Sequence, residues 1–159
     1  MKKLVMLGLA AGLLTTAVTA SFAADPAEKA LSVRKGFMQV MSFNAGPLFG
    51  VLKGKVDYDA KTAKLLAGNL LLMSQMQNGA AMWPKGSDTS NPALKDKTTA
   101  TSAIWAPGTK FGEQWGAWRK AVAELAAVAG DGKDALSAKM KVLGGTCSAC
   151  HKAHREKKK

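Results

Sequence analysis

The stretch GGTCSACHKAH, Gly144 to His154, holds both cysteines of the chain, three residues apart, with His151 directly after the second. It ends a longer pattern in which Leu136, Met140, Leu143, Cys147, Cys150 or His151, and His154 recur at spacings of three and four. That is the period of one helix face. Thiols at i and i+3 leave the same side of a helix, and His151 stands at i+4 from Cys147. The segment therefore reads as a helix that begins near Lys133 and turns two thiols and an imidazole toward a core. The rest of the chain must supply helices to surround that face.

Three further helical regions do so. Asp25, Pro26 and Glu28 form a helix start with a cap, a first-position proline and a capping-box acid. Leu31, Arg34, Met38, Met41, Ala45 and Leu48 then follow on one face, and Gly46-Pro47 is expected to bend or break the helix. A polar turn at Lys53 to Asp57 precedes a second helix predicted over Tyr58 to Gln77, capped by Asp57 or Asp59. Its expected apolar face is Leu65, Leu66, Leu70, Leu72, Met73 and Met76. Residues 78 to 98 read as a long loop, punctuated by Pro84, Gly86, Asn91 and Pro92. A third helical region is expected from Thr101 to Ala129, disturbed early by Pro107-Gly108 and stopped by Gly130-Asp131-Gly132. With no alternating β pattern and short connections, the fold class is all-α, an antiparallel up-down four-helix bundle.

The 159-residue chain carries 23 basic and 11 acidic residues, a formal net charge of +12. Residues 1–23 read as a secretory signal peptide. Lys2 and Lys3 precede an apolar run, and small residues at Ser21 and Ala23 prepare a cleavage after Ala23. Residues 24–159 then form one domain, and loss of Lys2 and Lys3 lowers the net charge by two, to +10. Nothing after the leader has the length of a membrane span, so no stable membrane insertion is expected. The expected location is the periplasm. Such a charge suits nucleic acid, an anionic membrane surface or an acidic protein, and export argues against the first, while most of the lysines are expected to solvate helix faces.

Cys-x-x-Cys-His in an exported chain is the attachment signature of c-type haem. Cys147 and Cys150 can form thioethers with two vinyl groups on one edge of the porphyrin, and His151 can bind the iron as proximal ligand. One covalent haem c inside the bundle is the expected cofactor. A disulfide would explain the thiols and leave the adjacent histidine to chance. A thioredoxin-like pair would need a strand before the motif. Zinc on Cys147, Cys150, His151 and His154 lacks two separated ligand pairs. His154 reads as a partly exposed helix histidine. Only eight residues follow His151, none of them methionine, so any distal ligand must come from another helix. Met38 is the candidate. It shares its face with Arg34, whose buried charge needs a partner that haem carboxylates could supply.

The chain resembles the cytochrome c′ family, the class II c-type cytochromes, over nearly all of residues 26 to 159. The residues that carry the resemblance are Arg34-Lys35-Gly36-Phe37-Met38, Tyr58-Asp59-Ala60, Ile104-Trp105 and Gly144 to His151. The resemblance implies covalent haem on Cys147 and Cys150 with His151 as proximal ligand. It implies Arg34 at the haem propionates, Arg155 flanking the proximal histidine, Thr98 near a loop that covers a haem edge, and Met38 in the distal pocket. It also implies a homodimer through the first two helices. His154 departs from an aromatic residue common at its position, Lys35 from a common glutamine, and residues 85 to 97 run longer than usual.

Two functions follow from the resemblance. A crowded, five-coordinate iron would bind nitric oxide or carbon monoxide, with Met38 as a steric gate. Alternatively, Met38 would be the sixth ligand of a low-spin electron carrier that docks an acidic redox partner. Neither is an enzyme in the ordinary sense, and the sequence offers no Ser-His-Asp set or paired carboxylates for acid–base work.

Overall fold

The computed structural model describes residues 25–157. The expected leader, residues 1–23, lies outside them. Four helices carry the fold: α1 Pro26–Leu52, α2 Ala60–Ser74, α3 Phe111–Val128 and α4 Lys133–His154. Each packs on its neighbours in chain order, and α4 closes the ring against α1. The arrangement is a four-helix up-down bundle. Among the described residues there is no strand, only an isolated antiparallel bridge between Ala100 and Arg155, and no helix is long and apolar enough to cross a membrane.

The helix starts follow from their caps. Asp25 accepts from Ala27 N at 2.9 Å ahead of Pro26, and Asp59 accepts from Thr62 N at 2.7 Å. Three expectations need correction. First, α1 does not break at Gly46-Pro47 but continues to Leu52. Both residues are exposed, so the ring of Pro47 sits on the solvent side. The helix continues beyond it because Leu48 and Val51 are buried in the core, which offsets a proline penalty of about 3 kcal/mol.

Second, α2 is shorter than Tyr58 to Gln77. Tyr58 stands outside it as a tether. Its hydroxyl donates to the Ala129 carbonyl at 3.1 Å and accepts from Gly132 N at 3.0 Å. The buried face of α2 is Ala63, Ala67, Leu70 and Ser74. Small residues let it approach its neighbours closely, and Leu65, Leu72 and Met76 are left outside at 63%, 68% and 41% exposure. Third, the region from Thr101 splits into a short 3-10 turn at Ser102–Trp105 and α3, which starts only at Phe111 after Pro107-Gly108.

The connection from α2 to α3 is not free loop. It opens with a 3-10 turn at Gly79–Met82, and its last part clasps the end of α4. Thr101 N donates to the His154 carbonyl and Glu156 N to the Thr99 carbonyl, at 3.0 and 2.8 Å. The core is built from Phe37, Leu48, Leu70, Trp118, Val122, Leu125, Leu136, Met140 and Leu143. At one close approach, a β-carbon at Gly144 would stand 3.2 Å from Cε1 of Phe49. The ring of Phe49 thus packs against α4 more closely than a side chain at residue 144 would leave room for without a small shift.

Candidate functional site

A cavity of about 750 Å³ opens between α1, α3, the last turns of α4 and residues 96–100. That volume lies within the range of roughly 300–1,000 Å³ usual for ligand pockets. Helix period places Cys147, Cys150 and His151 on its α4 wall, and Met38, Met41 and Phe49 on α1 line another side. Phe111, Trp115 and Trp118 line it from α3. All seven residues singled out in the sequence (Arg34, Met38, Thr98, Cys147, Cys150, His151 and Arg155) line this one cavity.

The two thiols are free and half-buried. Burial pushes the Cys147 thiol up, and the Thr146 side chain only partly offsets it. Burial and then the neighbouring Cys147 push Cys150 up as well. Both therefore favour the S–H form, unlike the activated thiolate of a redox pair. Among the described residues no three of His, Cys, Asp and Glu converge as a metal site, which removes the geometric basis for zinc.

The side chain of His151 is exposed as a whole, and the partial burial of its ring first and the charge of Arg155 second lower its pKa. Nη1 of Arg155 lies 3.3 Å from His151 Nδ1, and its Nε donates to Thr99 Oγ1 at 3.0 Å. The nitrogen left free to ligate is Nε2.

His154 is not the partly exposed residue expected. It is buried at 6% exposure, bonded through Nε2 to Gln114 Oε1 at 2.8 Å, and burial lowers its pKa. The reason is the clasp by residues 99–101, which covers the last turn of α4.

Arg34 is the most buried cation, at 4% exposure. Its partners lie in the long connection. Nη1 donates to the Met82 carbonyl and Ser87 Oγ, at 3.3 and 3.1 Å, and Nη2 to the Ser87 carbonyl and Thr98 Oγ1, at 2.7 and 3.5 Å. The guanidinium also lies 4.5 Å above the Trp83 ring, an attractive placement. Burial lowers its pKa, and the charge of buried Asp88 works the other way. Arg34 thus has protein partners before any carboxylate arrives, and Nε alone makes no bond among the described residues.

Sequence reasoning missed Trp83 and Gln114 at the cavity. Trp83 lies in a segment without period. Gln114 sits beside the apolar stripe of α3, and only the register of α3 against α4 brings it to His154. Phe111, Trp115 and Trp118 step by four and three along α3, a spacing that marks one helix face but not that this face is cavity wall.

The residues present fit a covalently held haem. Two neutral thiols and a neutral imidazole share one wall, the cavity is largely apolar, and a cation stands at its edge. Residues 29–155 match the model of the Cytochrome C′ family. The chain is 35% identical over 150 residues to the cytochrome c′ of Cereibacter sphaeroides, covering 94% of this chain and 97% of that protein. It is 30% identical over 149 residues to cytochrome c-554 of the same organism, covering 89% and 95%. Its fold is similar to that of a solved cytochrome c′ from Rhodobacter sphaeroides, with a TM-score of 0.78 and 32% identity over 85% of this chain and 100% of that one. It is also similar to the nitric oxide complex of a cytochrome c′ variant from Alcaligenes xylosoxidans, with a TM-score of 0.69 and 27% identity over 84% and 98%.

Proposed function

The chain belongs to the cytochrome c′ family and is a haem c protein, and on that premise we propose that it is a periplasmic binder of nitric oxide and carbon monoxide that also exchanges electrons. The observation that supports this reading is one cavity lined by Cys147, Cys150 and His151 from α4 and by Met38 from α1. Cys147 and Cys150 would hold the cofactor by thioethers, each S–H having added across a vinyl double bond, and His151 would hold the iron through Nε2. When bound, haem supplies an iron that can take a small diatomic ligand and change its valence by one electron.

The residues do the rest. With Nε2 committed to metal, the proton of His151 must sit on Nδ1, where Arg155 stands. Ligating histidines usually meet an acceptor there that raises their basicity. A guanidinium offers only donors, so Arg155 would have to turn away from Nδ1–H when Nε2 takes the metal, and it lends the ring no added basicity. Inner residues of the α1 wall, Leu31, Met38 and Met41, offer bulk and thioethers to an incoming ligand.

The second reading makes Met38 the sixth ligand, favoured by the placement of its thioether on the cavity wall. The ferric spectrum separates the two. A high-spin five-coordinate signal is expected, and Met38→Ala should then speed carbon monoxide binding to the ferrous protein by about tenfold, the weight of roughly 1.4 kcal/mol of removed crowding. A low-spin signal with a methionine–iron charge-transfer band, abolished in Met38→Ala, would establish the electron-carrier reading instead.

Residues 1–23 are proposed as the signal peptide that takes the chain to the periplasm, and the basic surface as the side that meets an acidic redox partner. The assembly is proposed to be a homodimer through α1 and α2. Phe43 on α1 is 77% exposed and Leu65 and Leu72 on α2 nearly as much. They flank a seam where Asn69 donates to Asn44 Oδ1 at 2.8 Å. Such an apolar patch on a water-facing wall marks an interface. Phe43→Lys with Leu72→Lys should give a monomer by sedimentation while leaving the haem spectrum unchanged. A wild-type protein that sediments as a monomer would sink the dimer.

A further inference from the structure

The turn of α4 that carries Cys150 and His151 is gripped from α3. Gln114 accepts from His154 Nε2 at 2.8 Å through its Oε1, and its Nε2 donates to the Ala149 carbonyl at 3.5 Å. A single side chain of α3 thus holds two points of α4 that bracket residues 150 and 151. The amide orientation decides the tautomer. Oε1 only accepts, so His154 carries its proton on Nε2.

Nδ1 of His154 is then an acceptor. It is buried and has no partner among the described residues. A buried acceptor without a partner weakens a fold. A phenyl ring would fill the same space against Phe111, which stands edge-on at 5.3 Å, without that penalty. What the imidazole adds is one directed bond to α3. The His154 carbonyl accepts from Thr101 N at 3.0 Å, so the residue is fixed from the side of the connection as well.

We infer that Gln114 and His154 are positioning residues for His151. They set the rotation of the last turn of α4, and with it the direction in which His151 presents Nε2 to the cavity. The inference rests on His151 being the iron ligand, as proposed above.

The readout is the iron–imidazole stretching band in the resonance Raman spectrum of the ferrous haem-loaded protein. His154→Phe and Gln114→Leu should each shift or split that band. The double variant should move it no further than either single one, because both remove the same bond. Gln114→Glu, which keeps an acceptor for His154 Nε2, should bring the band back toward its wild-type position. Thermal unfolding is recorded beside it. A lowered Tm with an unmoved band would make the pair a structural pin and overturn the inference. A wild-type protein with covalent haem but no iron–imidazole band would remove His151 as ligand, which is the failure of the underlying reading and is distinguishable from an unmoved band.

Discussion

Replacing Cys147 and Cys150 together by serine is expected to leave a chain from which acid acetone extracts all haem, whereas the wild-type protein retains it after the same treatment. Serine keeps the size and the hydrogen-bonding habit of the S–H groups but cannot form the thioethers. The effect should extend to the fold. The surface of the cavity of about 750 Å³ is mostly apolar, with polar and charged side chains interspersed. The opening is not a closed void and water can enter it, but apolar walls without an occupant forfeit packing contacts in a domain held together by only roughly 5–15 kcal/mol. The unloaded chain should therefore keep its far-ultraviolet helix signal and lose its near-ultraviolet signal from Trp115 and Trp118, both on the cavity wall. A double variant that retains haem through acid acetone would refute attachment at these two residues.

Arg34→Met should have the next largest effect, on stability. The side chain fits the space but makes none of the four bonds that Nη1 and Nη2 make to Met82, Ser87 and Thr98. It also removes the positive charge whose field reaches buried Asp88, although the two make no direct ion pair. Each buried acceptor left without its donor costs about 1–3 kcal/mol, so the loss over Met82, Ser87 and Thr98 is expected to total about 3–5 kcal/mol. For a domain of this size that corresponds to a fall in Tm of roughly 10–20 °C, measured by calorimetry on the haem-loaded protein. Arg34→Lys should recover little, because one ammonium cannot reproduce a planar fork of donors. An unchanged Tm in Arg34→Met would mean that the connection from α2 to α3 is anchored elsewhere.

These two predictions draw on different amounts of sequence information. The Cys147, Cys150, His151 triad is local. Its geometry is set by one helix turn, and α4 begins at Lys133 as its pattern predicts. Arg34 was legible as a buried cation in want of a partner, but its partners lie 48 to 64 residues away in a segment without period. Hydrophobic periodicity says which residues share a face, not which face is turned inward. That is why a broad leucine face of α2 was expected inside, while the structure buries Leu70 of that face together with Ala63 and Ala67 and leaves Leu65 and Leu72 exposed. Breakers likewise report a local cost only. Pro47 would end an isolated helix, but tertiary burial on the far side of α1 carries the helix past it. His154 was misjudged because the strand-like clasp that covers it comes from residues 99–101, a contact no helical pattern encodes.

The close approach of Phe49 to Gly144 gives the pocket an external adjusting screw. Gly144 does not line the cavity, whereas Phe49 does. A methyl group at residue 144 would require the ring of Phe49 to give by a few tenths of an ångström, and so would move one piece of the cavity wall without substituting any residue that touches the occupant. Capacity for larger ligands can thus be altered from outside the ligand-contacting set, by substituting a backbone position rather than redesigning the wall.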